Sequence, residues 1–144
     1  QVMDSVEAKT ADPIARVFVL LEQYRFGMQL CGCKMGCPIG NLALEVGDDY
    51  PAARTLIDQN FRNWAAVVRG WLDDAGDRLP AGVDRDRLAR FILTVMEGGL
   101  MQARAAGGLE PFDDSVAQLR AYFDVLLAQA RGPGERRVEP AEPS

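Results

Sequence analysis

Segment after segment of this chain places its apolar residues three and four apart, and no stretch alternates at period two. Between residues 14 and 28 the apolar positions are Ile14, Val17, Phe18, Leu21, Tyr24 and Met28. A second set is Leu56, Ile57, Phe61, Trp64, Val68, Trp71, Leu72 and Ala75. Leu88, Phe91, Ile92, Val95 and Met96 follow, then Val116, Leu119, Phe123, Leu126 and Ala130. Spacing of this kind gathers each set on one stripe of an α-helix. Strands would need alternation rich in β-branched residues, and none is found. The chain is therefore expected to be all-α, an antiparallel bundle of about six helices.

Turn and cap residues divide the bundle. Residues 2–9 read as the tail of a first helix. Asp12 is a good N-cap and Pro13 a good first residue for the second. Gly32 and Gly36 interrupt, and Pro38 opens a short third helix, "PIGNLALEV", closed by Gly47. Asp48 or Asp49 can cap a long fourth helix with Pro51 near its first turn, and "LPAGVD" breaks it at Pro80. A fifth runs from Asp84 to about Ala106, and "GGLEPFDDS" separates it from the sixth. The terminal "RGPGERRVEPAEPS" is Pro, Gly and charge. The expected organisation is a helical domain over 1–131 and a flexible tail over 132–144.

Composition excludes several functions. The 144 residues carry a net charge of −5, with arginines scattered singly among acids and two lysines among sixteen basic residues. That is not the basic stripe with which a protein grips nucleic acid. There is no histidine, which removes Ser-His and Cys-His catalysis and the commonest transition-metal ligand. No carboxylate pair or activated nucleophile stands out, so we expect no enzyme, no metal and no cofactor. Apolar runs are too short and too broken by charge to span a membrane, and the first ten residues lack the apolar region of a secretory leader. Three cysteines, an odd count, argue for a reducing cytoplasm rather than a disulfide framework. The chain opens on Gln1 in what reads as mid-helix, which suggests a fragment.

Three segments together resemble a known family. A helix opened by "DP" is followed by "GCPIGNLALE", then by a long Trp-containing helix, then by "FILTVMEGGLMQARA". In this order they resemble the C-terminal domain of TetR-family transcriptional regulators, from about Asp12 to Ala130. The resemblance implies a homodimer, usually a repressor, whose C-terminal helices bind a small effector. It also implies an N-terminal helix-turn-helix domain, so that DNA is contacted only through a domain missing from this chain. On that reading a small apolar or aromatic ligand releases the repressor from DNA. The alternatives are a cysteine-based redox or electrophile switch on the same scaffold, and a purely structural dimerisation module.

Two groups of residues are candidates for those roles. Phe61, Trp64, Val68 and Trp71 share one face of the fourth helix; with Phe18, Leu21, Tyr24, Phe91 and Val95 from neighbouring helices they would line a ligand pocket. Asn41 and Tyr24 would orient the ligand, with Cys37 beside them. Simple core packing explains the same stripe. For the dimer, Gly98, Gly99 and Ala103 in "EGGLMQARA" would let a partner helix approach closely. Met96, Gly99, Ala103, Leu119, Phe123 and Leu126 would form a four-helix seam. Otherwise the glycines merely relax the helix, at about 1 kcal/mol each against Ala.

Cys31, Cys33 and Cys37 admit three readings. They pack as small hydrophobes; or Cys37, at a helix N-terminus near Lys34, has its thiolate stabilised and senses oxidants, with Cys31 or Cys33 as resolving partner; or the three sulfurs hold a soft metal, for which no fourth ligand is evident.

Overall fold

The computed structural model describes residues 2–46 and 50–132. Gly47, Asp48 and Asp49, expected to close the third helix and cap the fourth, lie outside the described residues, as does the expected tail from residue 133 onward. Among the described residues every regular element is helical: α1 (Val2–Lys9), α2 (Pro13–Leu30), α3 (Pro38–Glu45), α4 (Pro51–Asp74), a 3₁₀ turn (Gly76–Arg78), α5 (Arg85–Ala106) and α6 (Glu110–Arg131). None of these helices is long and apolar enough to cross a membrane.

Helix α2 starts as its sequence dictates. Asp12 is extended, and its Oδ1 accepts the N–H groups of Ile14 at 2.9 Å and Ala15 at 3.1 Å. These are two of the donors a helix start leaves without partners. Arg78 donates to both oxygens of the same carboxylate at 3.1 and 3.3 Å, which ties the start of α2 to the 3₁₀ turn that follows α4. Beyond its cap, α2 is buried on more than one stripe. Val17, Leu20 and Leu21 are all fully buried, because α2 runs through the middle and touches α1, α4, α5 and α6.

The "CGC" that follows is a helix stop. Gly32 adopts φ +59°, and its N–H reaches Gln29 O while the Cys33 N–H reaches Met28 O at 2.8 Å. Two bonds in that pattern, closed by a left-handed glycine, are a Schellman motif. Cys33 also has positive φ, at +58°, and its buried side chain packs into the same core as Met28. Gly107 ends α5 in the same way, with Gly108 N–H on Ala103 O and Gly107 N–H on Arg104 O.

That stop turns the chain sharply, and α5 and α6 form the most extensive helix pair. The sixth helix begins earlier than expected, at Glu110, inside the segment that reads as a loop. Pro111 occupies the first turn, where its missing N–H has no partner to lose, and Glu110 and Asp113 suit the positive helix start. Helix α4 likewise stops at Asp74, before Pro80, where Gly76 at φ +57° turns the chain into the 3₁₀ segment. Leu56, expected on the buried face of α4, is two-thirds exposed.

Met96, Gly99, Ala103, Leu119, Phe123 and Leu126, the six residues expected at a dimer seam, are all buried within the single chain. Gly99, Leu119 and Leu126 among them also border the outer groove of α5 and α6. Phe123 meets Phe18 of α2 edge to face at 5.5 Å, and Phe112 packs on Gly99. The strongest three-four stripes of α5 and α6 face α2, since each large buried side chain gains about 1.5–3 kcal/mol there. The opposite face of the pair is open. It carries Phe91 and Tyr122, ring to ring at 6.3 Å, together with Val125, and a broad groove that runs past Val95, Gly98 and Gln118.

Candidate functional site

Helix α3 is held against α5 by small and polar residues. Cys37 is its extended N-cap and Pro38 its first residue. One turn on, Gly40 lies so close to α5 that a Cβ there would collide with Glu97 Oε2. Asn41 Oδ1 then accepts from Arg104 Nη1 at 3.2 Å. The glycine of "PIGN" is thus explained by the glutamate of "EGGL": the absent side chain makes room for the carboxyl.

Between α3, α4 and α5 this arrangement leaves a cavity of about 590 Å³. That lies within the range of small-molecule sites. Its apolar wall comes from Ala43 and Leu44 of α3, Phe61 and Ala65 of α4, and Leu93, Leu100 and Met101 of α5. Polar groups are few: Asn41, Asp58, Arg62, Arg90, Thr94 and Glu97. Arg62 is paired with Asp58 at 2.6 Å, and the Thr94 hydroxyl is turned back to Arg90 O at 3.0 Å.

Glu97 is the unusual member. Its Oε1 is buried and has no hydrogen-bond partner among the described residues, a condition that costs about 1–3 kcal/mol or more for a charged group. Burial raises the pKa of its carboxyl, with the adjacent Cys37 thiol pulling the other way. The Cys37 thiol is pushed up to about 11, first by burial and then by Glu97, against the opposing pull of the Gly40 and Ile39 amides. Tyr24 of α2 faces the same pair from behind, and burial, Cys37 and Glu97 all raise its phenol. Three acidic groups thus crowd together, each with its pKa raised.

Of the residues expected to bind ligand, the cavity gathers Cys37, Asn41 and Phe61. Trp64 stands behind that wall, edge to face with Phe61 at 5.8 Å. Tyr24 borders a separate shallow groove with Met28, Cys31 and Met35. Phe18, Leu21, Val68 and Trp71 belong to the core, and the Trp71 indole donates to Glu7 Oε1 at 2.8 Å, tying α4 to α1. Phe91 and Val95 lie on the other side of α5, in the outer groove. Sequence reasoning passed over Glu97, Leu93 and Leu100. A signal was present: Leu93, Glu97 and Leu100 are spaced four and three apart, a charged residue set in an apolar stripe.

The three thiols are free and differ in setting. Cys33 and Cys37 are buried, and Cys31 is half-buried with its Sγ against Met28 O at 3.3 Å. Among the described residues no three His, Cys, Asp or Glu side chains are placed to hold a metal ion. A thiol sensor needs a lowered pKa, and that of Cys37 is raised.

Comparisons with known proteins agree on the family. The profile of the family described as "Tetracyclin repressor-like, C-terminal domain" matches residues 13–119. An uncharacterized HTH-type transcriptional regulator, found in two strains of Mycobacterium tuberculosis, is 32% identical over 114 residues, which is 76% of this chain and 56% of the relative. The chain therefore spans little more than half the length of the curated relatives it matches. In fold it is similar to the crystal structure of regulatory protein TetR from Rhodobacter sphaeroides, with a TM-score of 0.71 and 24% identity over 81% of this chain and 64% of that one. By the family match and the shared all-helical architecture, this chain belongs to the TetR family of transcriptional regulators, as a tetracyclin repressor-like C-terminal domain.

Proposed function

We propose that this domain is the effector-binding and dimerisation half of a TetR-like repressor, and that the effector enters the cavity between α3, α4 and α5. The observation that carries the reading is the cavity itself: about 590 Å³, walled by Phe61, Leu93 and Leu100, with one orphaned carboxyl oxygen. An apolar body with a few convergent polar groups is what small-molecule sites are made of. DNA contact belongs to a part of the regulator outside these 144 residues, and the place of action is the cytoplasm. A ligand changes DNA affinity only as far as it favours one arrangement of the dimer over the other. Helix α4, one wall of the cavity, is linked to α1 through the Trp71–Glu7 bond, which offers a route by which occupancy reaches the chain's N-terminal side.

The dimer in this proposal forms through the open face of α5 and α6, with Phe91, Tyr122 and Val125 at its centre. Two such helices from each of two copies make a four-helix interface. No observation favours a redox switch, given the raised pKa of Cys37. The test is a small-molecule screen by thermal shift, repeated on Ala43→Trp. Ala43 lines the cavity and is exposed, so an indole there can enter the cavity without displacing a core side chain. A ligand at 100 times its Kd adds about 2.7 kcal/mol of stability, and Ala43→Trp should abolish that gain. Hits that stabilise both proteins equally would place the effector elsewhere and refute the reading.

A further inference from the structure

We propose that Glu97 selects the ligand's chemistry: the cavity takes molecules with a protonated amine, whose N–H group meets Oε1 while an apolar body lies against Phe61, Leu93 and Leu100. The inference rests on the reading that this cavity holds the effector, and goes beyond it by naming what the effector carries.

Three observations converge on the amine. Glu97 Oε1 is the one buried side-chain oxygen or nitrogen without a hydrogen-bond partner among the described residues, and Glu97 lines the cavity. Oε1 itself is almost wholly covered, so a donor brought by a ligand reaches it once the carboxyl turns toward the cavity that Glu97 lines. The other oxygen, Oε2, lies against Gly40 at the start of α3, so α3 limits how far the carboxyl can turn away. Finally, no ion pair to Glu97 is formed among the described residues by the arginines that share its cavity. Arg62 is engaged by Asp58, and Arg90 precedes Glu97 by two turns of α5, roughly 10 Å along the axis.

The neighbouring groups sharpen the preference. Facing Glu97 are the Cys37 thiol from α3 and the Tyr24 phenol from α2, both acidic groups held protonated by burial. Asp58, Arg62 and Arg90 stand at the cavity wall. A ligand carboxylate would be repelled by Glu97 once ionised, and a hydroxyl would supply a donor without a counter-charge. An ammonium supplies both, and charge-assisted bonds of this kind are about twice as strong as neutral ones. Burial raises the Glu97 pKa, and an ammonium binds the ionised carboxylate, so affinity should rise with pH through that raised value and level off above it.

The experiment uses a matched series of phenylbutylamine, phenylbutanol and phenylbutyrate, titrated calorimetrically into the wild-type chain, Glu97→Gln and Ala43→Trp. Circular dichroism melts confirm that each variant is folded. The expected result is an amine bound about tenfold or more tightly than the alcohol, with the carboxylate weakest. Glu97→Gln should bring the amine down to the level the alcohol has in the same variant, and Ala43→Trp should weaken all three. Equal affinity of amine and alcohol, both lost in Ala43→Trp, would overturn the role of Glu97 and leave the cavity reading standing. Binding that survives Ala43→Trp, or no binding by any of the three, would overturn both. An amine preference that persists in Glu97→Gln would overturn the role of Glu97 alone.

Discussion

Two mid-helix glycines, Gly99 and Gly70, should respond in opposite ways to the same substitution. A Cβ on Gly99 would lie 2.9 Å from Phe112 Cδ2 and 3.4 Å from Phe112 Cα. Phe112 is fully buried, and one of the two obstacles is backbone, so the methyl cannot be accommodated by a swinging side chain. Replacing glycine in a helix interior gains about 0.8–1.0 kcal/mol. Forcing a methyl into filled space costs about 1–3 kcal/mol. Gly99→Ala should therefore lose about 1 kcal/mol net. Gly70 of α4 has nothing within 4 Å of its Cβ position, so Gly70→Ala should keep the whole helical gain, about 1 kcal/mol. The gap of about 2 kcal/mol corresponds to roughly 4–8 °C between the two melting temperatures for a domain of this size. Urea denaturation followed by circular dichroism at one protein concentration measures it, with unchanged m-values as the control. Should Gly99→Ala stabilise as much as Gly70→Ala, the close approach of α5 to α6 at this point, and the register of the hairpin, would be wrong.

Asp12→Ala should cost about 1 kcal/mol by removing the cap of α2. The Arg78 bond and the two amides hold the Asp12 carboxyl below its ordinary value despite some burial. Its contribution is therefore complete above the usual carboxylate range and lost as pH falls through the lowered value; an acid melt that weakens Asp12→Ala as steeply as wild type would count against it. Tyr122→Glu, on the outer face, should leave helix content unchanged and yield a monomer by light scattering, whereas Phe123→Ala should cost about 3–5 kcal/mol because that ring is in the core. If Tyr122→Glu remained dimeric, the α5/α6 face would not be the interface. Cys37 should resist alkylation at neutral pH and become reactive only as pH approaches about 11; prompt labelling at neutral pH would revive the thiol sensor.

The helices were legible because their signals are local. Asp12 with Pro13 marks a start and Gly107 marks a stop, and the structure uses them so. The start of α6 was not, because Pro111 among glycines and acids reads as loop until its place in a first turn is seen. Periodicity could not say which apolar face of α5 turns inward. Phe91 with Val95 and Leu93 with Leu100 are both apolar sets, and only packing against α2, α3 and α4 assigns them to the outer groove and the cavity. The same ambiguity applies to the residues expected at a dimer seam: Met96, Ala103 and Phe123 serve the core of the single chain, while Gly99, Leu119 and Leu126 also border the outer groove. Cys37 borders the cavity between α3, α4 and α5. The resemblance to the family rests on "GCPIGN" and "EGGL", and their meaning became visible only when Gly40 and Glu97 were found in contact.

The most direct test of the central claim is a crystal structure of this chain with phenylbutylamine bound. The account predicts ligand density between α3, α4 and α5, with the ring against Phe61 and Leu93 and the nitrogen within hydrogen-bond distance of Glu97 Oε1. Density in the outer α5/α6 groove, or in the shallow groove beside Tyr24 and Met35, with the cavity free of ligand, would contradict it.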